Sequence, residues 1–210
     1  MLRALDLFCC QGGATRGLQM AGYHVTGVDI EPQPRYCGDA FYQADAFDWL
    51  QRDLSEFDLI WASPKCQGHS VLTPTAYKLN HEIQLPRVLD ILRSQSVKYI
   101  VENVEGTQHY MRDPIFLCGT MFGINIWRHR WFELGNTSAF FLLPPCNHSG
   151  HPVLISGRGM LGVAKGDTRP KEPSVATRAA AIEIDWMTGS GLDQAIPPAY
   201  AKFLAEQIQQ

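Results

Sequence analysis

Cys66 stands in the stretch ASPKCQGHS, after the apolar run FDLIW and directly behind Lys65. A cysteine so placed can be a nucleophile, a metal ligand or a packed thiol. A free thiol ionises near about 8.5 and needs a cation or a helix N-terminus beside it to attack near neutral pH. Lys65 is such a cation. A lone cysteine is usually a small buried hydrophobe, but Pro64, Lys65, Gln67, Gly68, His69 and Ser70 are poor core material, which favours the nucleophile. Glu102, in VENVEG, is a carboxyl that could work with it. Gly12 and Gly13, in CCQGG, allow a sharp turn and a close approach of backbone to ligand at a helix N-terminus. Asp29 in VDIEP could accept from ribose hydroxyls and Asp45 in QADAF from an adenine amine, although each alone serves equally well as a helix N-cap. Turn and acids together imply an adenosine-containing ligand.

These residues need a scaffold that brings them to one edge. The pattern predicts strands at 3–8, 24–30, 40–43, 57–62, 98–104 and 130–134, and helices near 46–53, 81–95 and 113–121. Such alternation predicts an α/β fold, a mostly parallel sheet with helices on both faces. In that architecture ligands sit at the carboxyl ends of the strands, where strand order reverses. The glycine turn, Asp29, Asp45, Cys66 and Glu102 all follow predicted strands and so should converge. The tail QAIPPAYAKFLAEQIQQ reads as a proline-opened helix with Ala199, Phe203, Leu204 and Ile208 toward the core.

Composition narrows the setting. A 210-residue chain with 45% hydrophobic content can bury one substantial core, and a net charge of −3 gives no global electrostatic reason to bind nucleic acid. A polyanion site must be local. Residues 150–178 hold Arg158, Lys165, Arg169, Lys171 and Arg178 against Asp167 and Glu172, a surplus that could meet a polyanion or simply solvate a loop. The six cysteines include no CxxC pair, so a reducing compartment is expected. With no signal peptide and no membrane-length apolar run, a cytoplasmic protein with no membrane partner is expected. CNHSGH offers Cys146, His148 and His151 but no obvious fourth ligand nearby, so a polar turn is expected there, with a zinc site as the alternative.

The ordered stretches DLFCCQGG, GVDIEP, ASPKCQGHS, VENVEG, RHRWFEL and QAIPPA resemble the motif set of the cytosine-5 DNA methyltransferases across nearly the whole chain. The resemblance implies a Rossmann-like methyltransferase fold using S-adenosylmethionine. It implies a cofactor pocket of Phe8, Gly12, Gly13, Asp29, Ile30, Asp45 and Pro64, joined by Gln194, Ala195 and Ile196 of a last motif folded back beside the first. It also implies Cys66 as nucleophile on cytosine carbon 6, Glu102 at the ring nitrogen 3 edge, and Arg128 and Arg130 on the target base and its phosphate. As residues two apart on a strand, these arginines should share a face; otherwise they are a surface charge pair. DNA is the implied partner, with the target cytosine flipped out of the duplex or taken from a single strand.

Departures from the family pattern shape the expectation further. Cys10 replaces a usual glycine, Ile126 a glutamine and Gln194 an asparagine. We expect a catalytic and cofactor-binding core at 1–134, a short target recognition insertion at 135–174 and a C-terminal segment at 175–210 packing back on the core. Such a compact form resembles methylases carried by bacteriophages, and a restriction-modification setting is a further association. Lys65 stands where the family has proline. It could favour the Cys66 thiolate, touch a phosphate, or recognise the carboxylate of a carboxy-S-adenosylmethionine, giving carboxymethylcytosine. RNA cytosine methylation and a catalytically inactive binding module are the remaining alternatives. The oligomeric state is not legible.

Overall fold

The computed structural model describes residues 1–65, 83–139, 141–155 and 173–209. Cys66, the basic residues Arg158, Lys165, Arg169 and Lys171, and positions 81 and 82 of the expected third helix lie outside them.

Short apolar runs form the strands β1 (Leu2–Leu7), β2 (Tyr23–Asp29), β3 (Ala40–Gln43), β4 (Leu59–Ala62) and β5 (Lys98–Asn103), all mutually parallel. β6 (Ile115–Leu117) and β7 (Arg130–Gly135) complete the sheet, with β7 antiparallel to both β5 and β6. The order is β3-β2-β1-β4-β5-β7-β6. Strand order therefore reverses between β1 and β4, so the glycine turn after β1 and the ASPK segment after β4 flank the switch point.

Side chains alternate between two apolar layers. Leu5, Leu7, Ile60 and Val101 face α2 (Ala46–Leu50) and α3 (Leu85–Arg93). Ala4, Trp61, Ile100 and Phe132 face α1 (Gly13–Met20) and α6 (Pro198–Gln209). The expected helices on both faces are present. α3 shows why it forms: Pro86 opens it, and Leu85, Val88, Leu89 and Leu92 make one buried stripe at helical spacing. A third cluster, of Ile126, Ile155, Ile182, Ile184, Met187 and Leu192, joins the 141–155 segment to α4 (Val175–Ala181) and α5 (Gly189–Gln194).

The helix expected at 113–121 is not formed. Asp113 has φ 44°, Pro114 disfavours a helical residue before it, and Gly119 and Gly123 bracket a 3-10 turn over Gly119–Phe122, leaving 115–117 as β6. On α6 the core face is Tyr200, Ala201, Leu204, Ala205 and Ile208, with Ala199 only half-buried. Arg178 is not part of a basic surface. It is buried, donating to Ile155 O at 2.8 Å and pairing with Asp193 Oδ1 at 2.5 Å.

Asp6 on β1 is fully buried beneath the glycine turn, with Thr15 Oγ1 donating to its Oδ2 at 2.5 Å. Burial pushes its carboxyl up to about 7, against the Thr15 hydroxyl, with Asp29 adding to the rise. The unfolded chain releases this proton near 3.8, so the folded state binds more protons between the two values. Stability from this group is therefore full below pH ~4, falls by about 4 kcal/mol as pH rises to ~7, and is level above. We expect Asp6→Asn to remove most of that decline in urea unfolding at pH 5 and pH 8. An unchanged difference between the two pH values would contradict the assignment.

Candidate functional site

The turn after β1 is held in an unusual backbone. Phe8 and Cys10 adopt φ 61° and 46°, left-handed values rare for side-chain-bearing residues, and Gly12 follows at 88°. The neighbouring strand supports the turn: Cys9 N donates to Val28 O at 3.2 Å, and Cys10 N to Asp29 Oδ2 at 2.9 Å. Gly13 is glycine because a Cβ there would lie 2.5 Å from the Ile196 carbonyl oxygen. The last motif thus folds back onto the first, as expected. The close approach at Gly13 is to the chain's own backbone.

Gln194 is exposed and its Oε1 lies 3.4 Å from Cys10 Sγ, whereas Ala195 and Ile196 are buried. Gln11 clamps the same segment: its carbonyl accepts from Trp186 Nε1 at 2.7 Å, its Oε1 from Thr188 N at 2.9 Å, and its Nε2 donates to Thr188 Oγ1 at 3.1 Å. Sequence reasoning passed over Gln11, Trp186 and Thr188, since nothing in a linear pattern links residues so far apart. Burial first, then Asp29 and Asp6, pushes the Cys10 thiol up to about 12, with Lys65 opposing. Cys10 stays protonated and is no nucleophile.

Asp29 closes β2. It caps no helix; its two oxygens each accept one backbone amide, Cys10 N and Glu31 N, both at 2.9 Å. A carboxylate has about four lone-pair directions, so these two amides do not exhaust its capacity. Ile30 beside it is 54% exposed, an apolar side chain left bare at the sheet's carboxyl edge. Asp45 is the N-cap of α2, accepting from Phe47 N at 2.9 Å. The capping role weighed for Asp45 is therefore occupied, with its second oxygen left for another donor.

The second half of the candidate site lies across the switch point. Pro64 is buried, and its carbonyl accepts from Asn103 Nδ2 at 3.0 Å, pinning the chain two residues before Cys66. Asn103 is a positioning residue that the motif reading did not single out, although it stands inside VENVEG. Lys65 is exposed, its amide 3.3 Å from Gln84 Oε1. Glu102, the penultimate residue of β5, is almost fully buried, with Arg130 Nε 2.8 Å from its Oε1. That contact is close but poorly aligned, leaving Oε1 without a directed hydrogen bond among the described residues. Burial pushes the Glu102 carboxyl up; Arg130, Arg128 and the Ser63 hydroxyl oppose. Arg130 begins β7, whereas Arg128 precedes the strand and donates to Asp193 O at 2.8 Å. The pair is no free surface pair, because both charges bear on Glu102.

CNHSGH does not stand alone in the fold. Cys118 and His129, distant in sequence, stand against Cys146 and His148, and His151 lies apart, its carbonyl accepting from Asn125 Nδ2.

No family model matches the sequence, and no curated protein matches it. Among solved structures, the Entamoeba histolytica methyltransferase EhMeth superposes with a TM-score of 0.59 at 13% identity, over 99% of this chain and 98% of that one. The chain has a Rossmann-like methyltransferase fold. Weaker likenesses are to an Escherichia coli prophage DNA modification methyltransferase (TM-score 0.46, 20% identity, 78% of this chain) and to Schizosaccharomyces pombe Dnmt2 (0.45, 22%, 67%). This methyltransferase-fold chain spans only 56% and 51% of those two proteins. No helix among the described residues is long and apolar enough to cross a membrane.

Asn103→Ala should lower the unfolding free energy by about 1–3 kcal/mol in urea titration, because the buried Pro64 carbonyl loses its donor. A loss smaller than about 0.5 kcal/mol would show that the carbonyl finds another partner or water.

Proposed function

We propose that the protein is a DNA cytosine-5 methyltransferase using S-adenosylmethionine. The observation that carries the reading is Glu102: a carboxyl raised by burial, bracketed by Arg130, Arg128 and Ser63, at the end of the strand next to the one that leads into Cys66. Ala62 pairs with Val101 in register, so Ser63 and Glu102 are adjacent, and Cys66 is three residues further on.

The edge fits an adenosyl cofactor: Asp29 has lone pairs left for ribose hydroxyls, Ile30 is an exposed apolar surface for adenine, and Asp45 has a second oxygen for the amine. Phe8, Gly12, Gly13 and Pro64 would complete the floor, and Gln194, Ala195 and Ile196 the wall. S-adenosylmethionine supplies a methyl group on a sulfonium. The Cys66 thiolate adds to cytosine carbon 6, and the displaced electron pair makes carbon 5 nucleophilic. Glu102, its carboxyl raised by burial, supplies or shares a proton at nitrogen 3 as charge develops there. Arg128 and Arg130 hold Glu102 and the flipped base. After carbon 5 has gained the methyl, loss of its proton to solvent and return of the nitrogen 3 proton to Glu102 expel Cys66 as thiolate and restore the neutral ring. The short segment 135–174 would recognise the target, and a host or phage-infected bacterial cytoplasm suits the reaction.

A second reading is carboxymethyl transfer from carboxy-S-adenosylmethionine. What favours it is Lys65, whose exposed ammonium is near enough to the glycine turn to act on the Cys10 thiol. Nucleoside mass spectrometry after incubation with DNA and each cofactor separates the two; a methyl product alone would sink the second reading.

The direct test is covalent trapping. Duplexes carrying 5-fluorocytosine, incubated with S-adenosylmethionine, should give a denaturation-resistant protein–DNA adduct that Cys66→Ala abolishes. Single-stranded DNA and transfer RNA run beside them define the substrate. No adduct on any nucleic acid would overturn the reading in favour of an inactive binding module.

A further inference from the structure

We propose that Cys118, His129, Cys146 and His148 form a structural zinc site that braces the strand carrying Arg128 and Arg130. Their ligand atoms all lie within 4.8 Å of one another. His148 Nε2 is the crowded point: Cys118 Sγ is 3.3 Å away, Cys146 Sγ 3.2 Å and His129 Nε2 3.1 Å. A single imidazole nitrogen carries one proton or offers one lone pair, so hydrogen bonding can satisfy one of these three neighbours. A cation at the centre satisfies all four groups at once.

The dimensions agree. Tetrahedral zinc with bonds of about 2.3 Å to sulfur and about 2.0–2.1 Å to nitrogen separates its ligand atoms by about 3.3–3.8 Å. Four of the six separations here, with Cys146 Sγ to His129 Nε2 at 3.6 Å, span 3.1–3.6 Å, and all six lie within 4.8 Å. Two thiolates and two imidazoles suit zinc and disfavour magnesium or calcium. Two thiolates also neutralise a divalent ion. A second layer is in place: the Thr120 hydroxyl lies 3.4 Å from Cys118 Sγ and 3.8 Å from Cys146 Sγ, positioned to donate to either thiolate, while accepting from Asn147 N at 3.2 Å. Four protein ligands leave no open position, which marks a structural ion and not a catalytic one.

The ion would tie three segments together. Cys118 follows β6, His129 lies between the two arginines, and Cys146 and His148 belong to the 141–155 segment, where the Trp127 ring stacks on His148 at 4.5 Å. Metal binding thereby fixes the entry to β7, and with it the reach of Arg130 to Glu102. The inference stands on this geometry whether or not the chain transfers methyl groups.

The test uses the full untagged chain purified without chelator. Elemental analysis should find about one zinc per chain, as for structural sites whose binding energy is folding energy. Cys146→Ser should lose at least nine-tenths of the metal, while Cys37→Ser, outside the cluster, keeps it. Cobalt substituted into the wild-type protein should show the intense visible bands and thiolate charge transfer of a tetrahedral Cys2His2 site, a readout independent of whether the variant folds. Chelator should lower the melting temperature, restored by zinc and not by magnesium. Metal-free protein with a weak octahedral cobalt spectrum, or a Cys118–Cys146 disulfide found by peptide mass mapping, would overturn the proposal.

Discussion

A buried carboxyl at the end of β5 has to be held, and the ion pair between Glu102 and Arg130 holds it. Taking an acid out of water disfavours its charged form, and a nearby guanidinium favours it. The balance leaves the carboxyl raised from its ordinary value. Much of the structure beyond β5 serves that contact. β7 inserts antiparallel next to β5, with Glu102 opposite Phe132, so the arginine at its start reaches across. Tyr200 OH donates to the Arg128 carbonyl at 2.7 Å, tying the segment before β7 to α6. Arg128 in turn donates to the Asp193 carbonyl, and the buried Arg178 pairs with the Asp193 side chain.

The same closure shapes the other half of the edge. Gly13 and Gly17, one helical turn apart, let α1 lie directly against the backbone of Ile196 and Pro198, where a side chain at either would collide. Gln11 fastens the approach to that segment by hydrogen bonds to Trp186 and Thr188. Residues 186–198 therefore pack against the turn after β1, and the two halves of the sheet edge are set by one packing arrangement.

The sheet's carboxyl edge was legible because its signals are local: apolar runs of strand length, glycines after β1, acids after β2 and β3. The motif reading singled out Glu102 and the arginines, which the structure brings together. It failed where the determinant is long-range or conformational. The 113–121 segment has helix-compatible apolar residues, but Pro114 and the pairing of β6 with β7 decide otherwise. Arg178 reads as a surface cation until its burial against Ile155 and Asp193 is seen. Cys118 and His129 could not be joined to CNHSGH from spacing alone, since β6 and the entry to β7 meet only in the folded sheet. Asp45 is the instructive middle case, placed as expected and engaged as the N-cap that also fits its sequence.

Whether Glu102 is poised as this arrangement requires can be read directly. In protein carrying carbon-13 at glutamate side-chain carboxyls, with Glu102→Gln used for assignment, its resonance should titrate above the ordinary glutamate value of 4.5. Arg130→Gln should move that titration higher still, because the guanidinium is the largest opposing influence. A Glu102 carboxyl that titrates at or below 4.5, or one indifferent to loss of Arg130, would contradict the account.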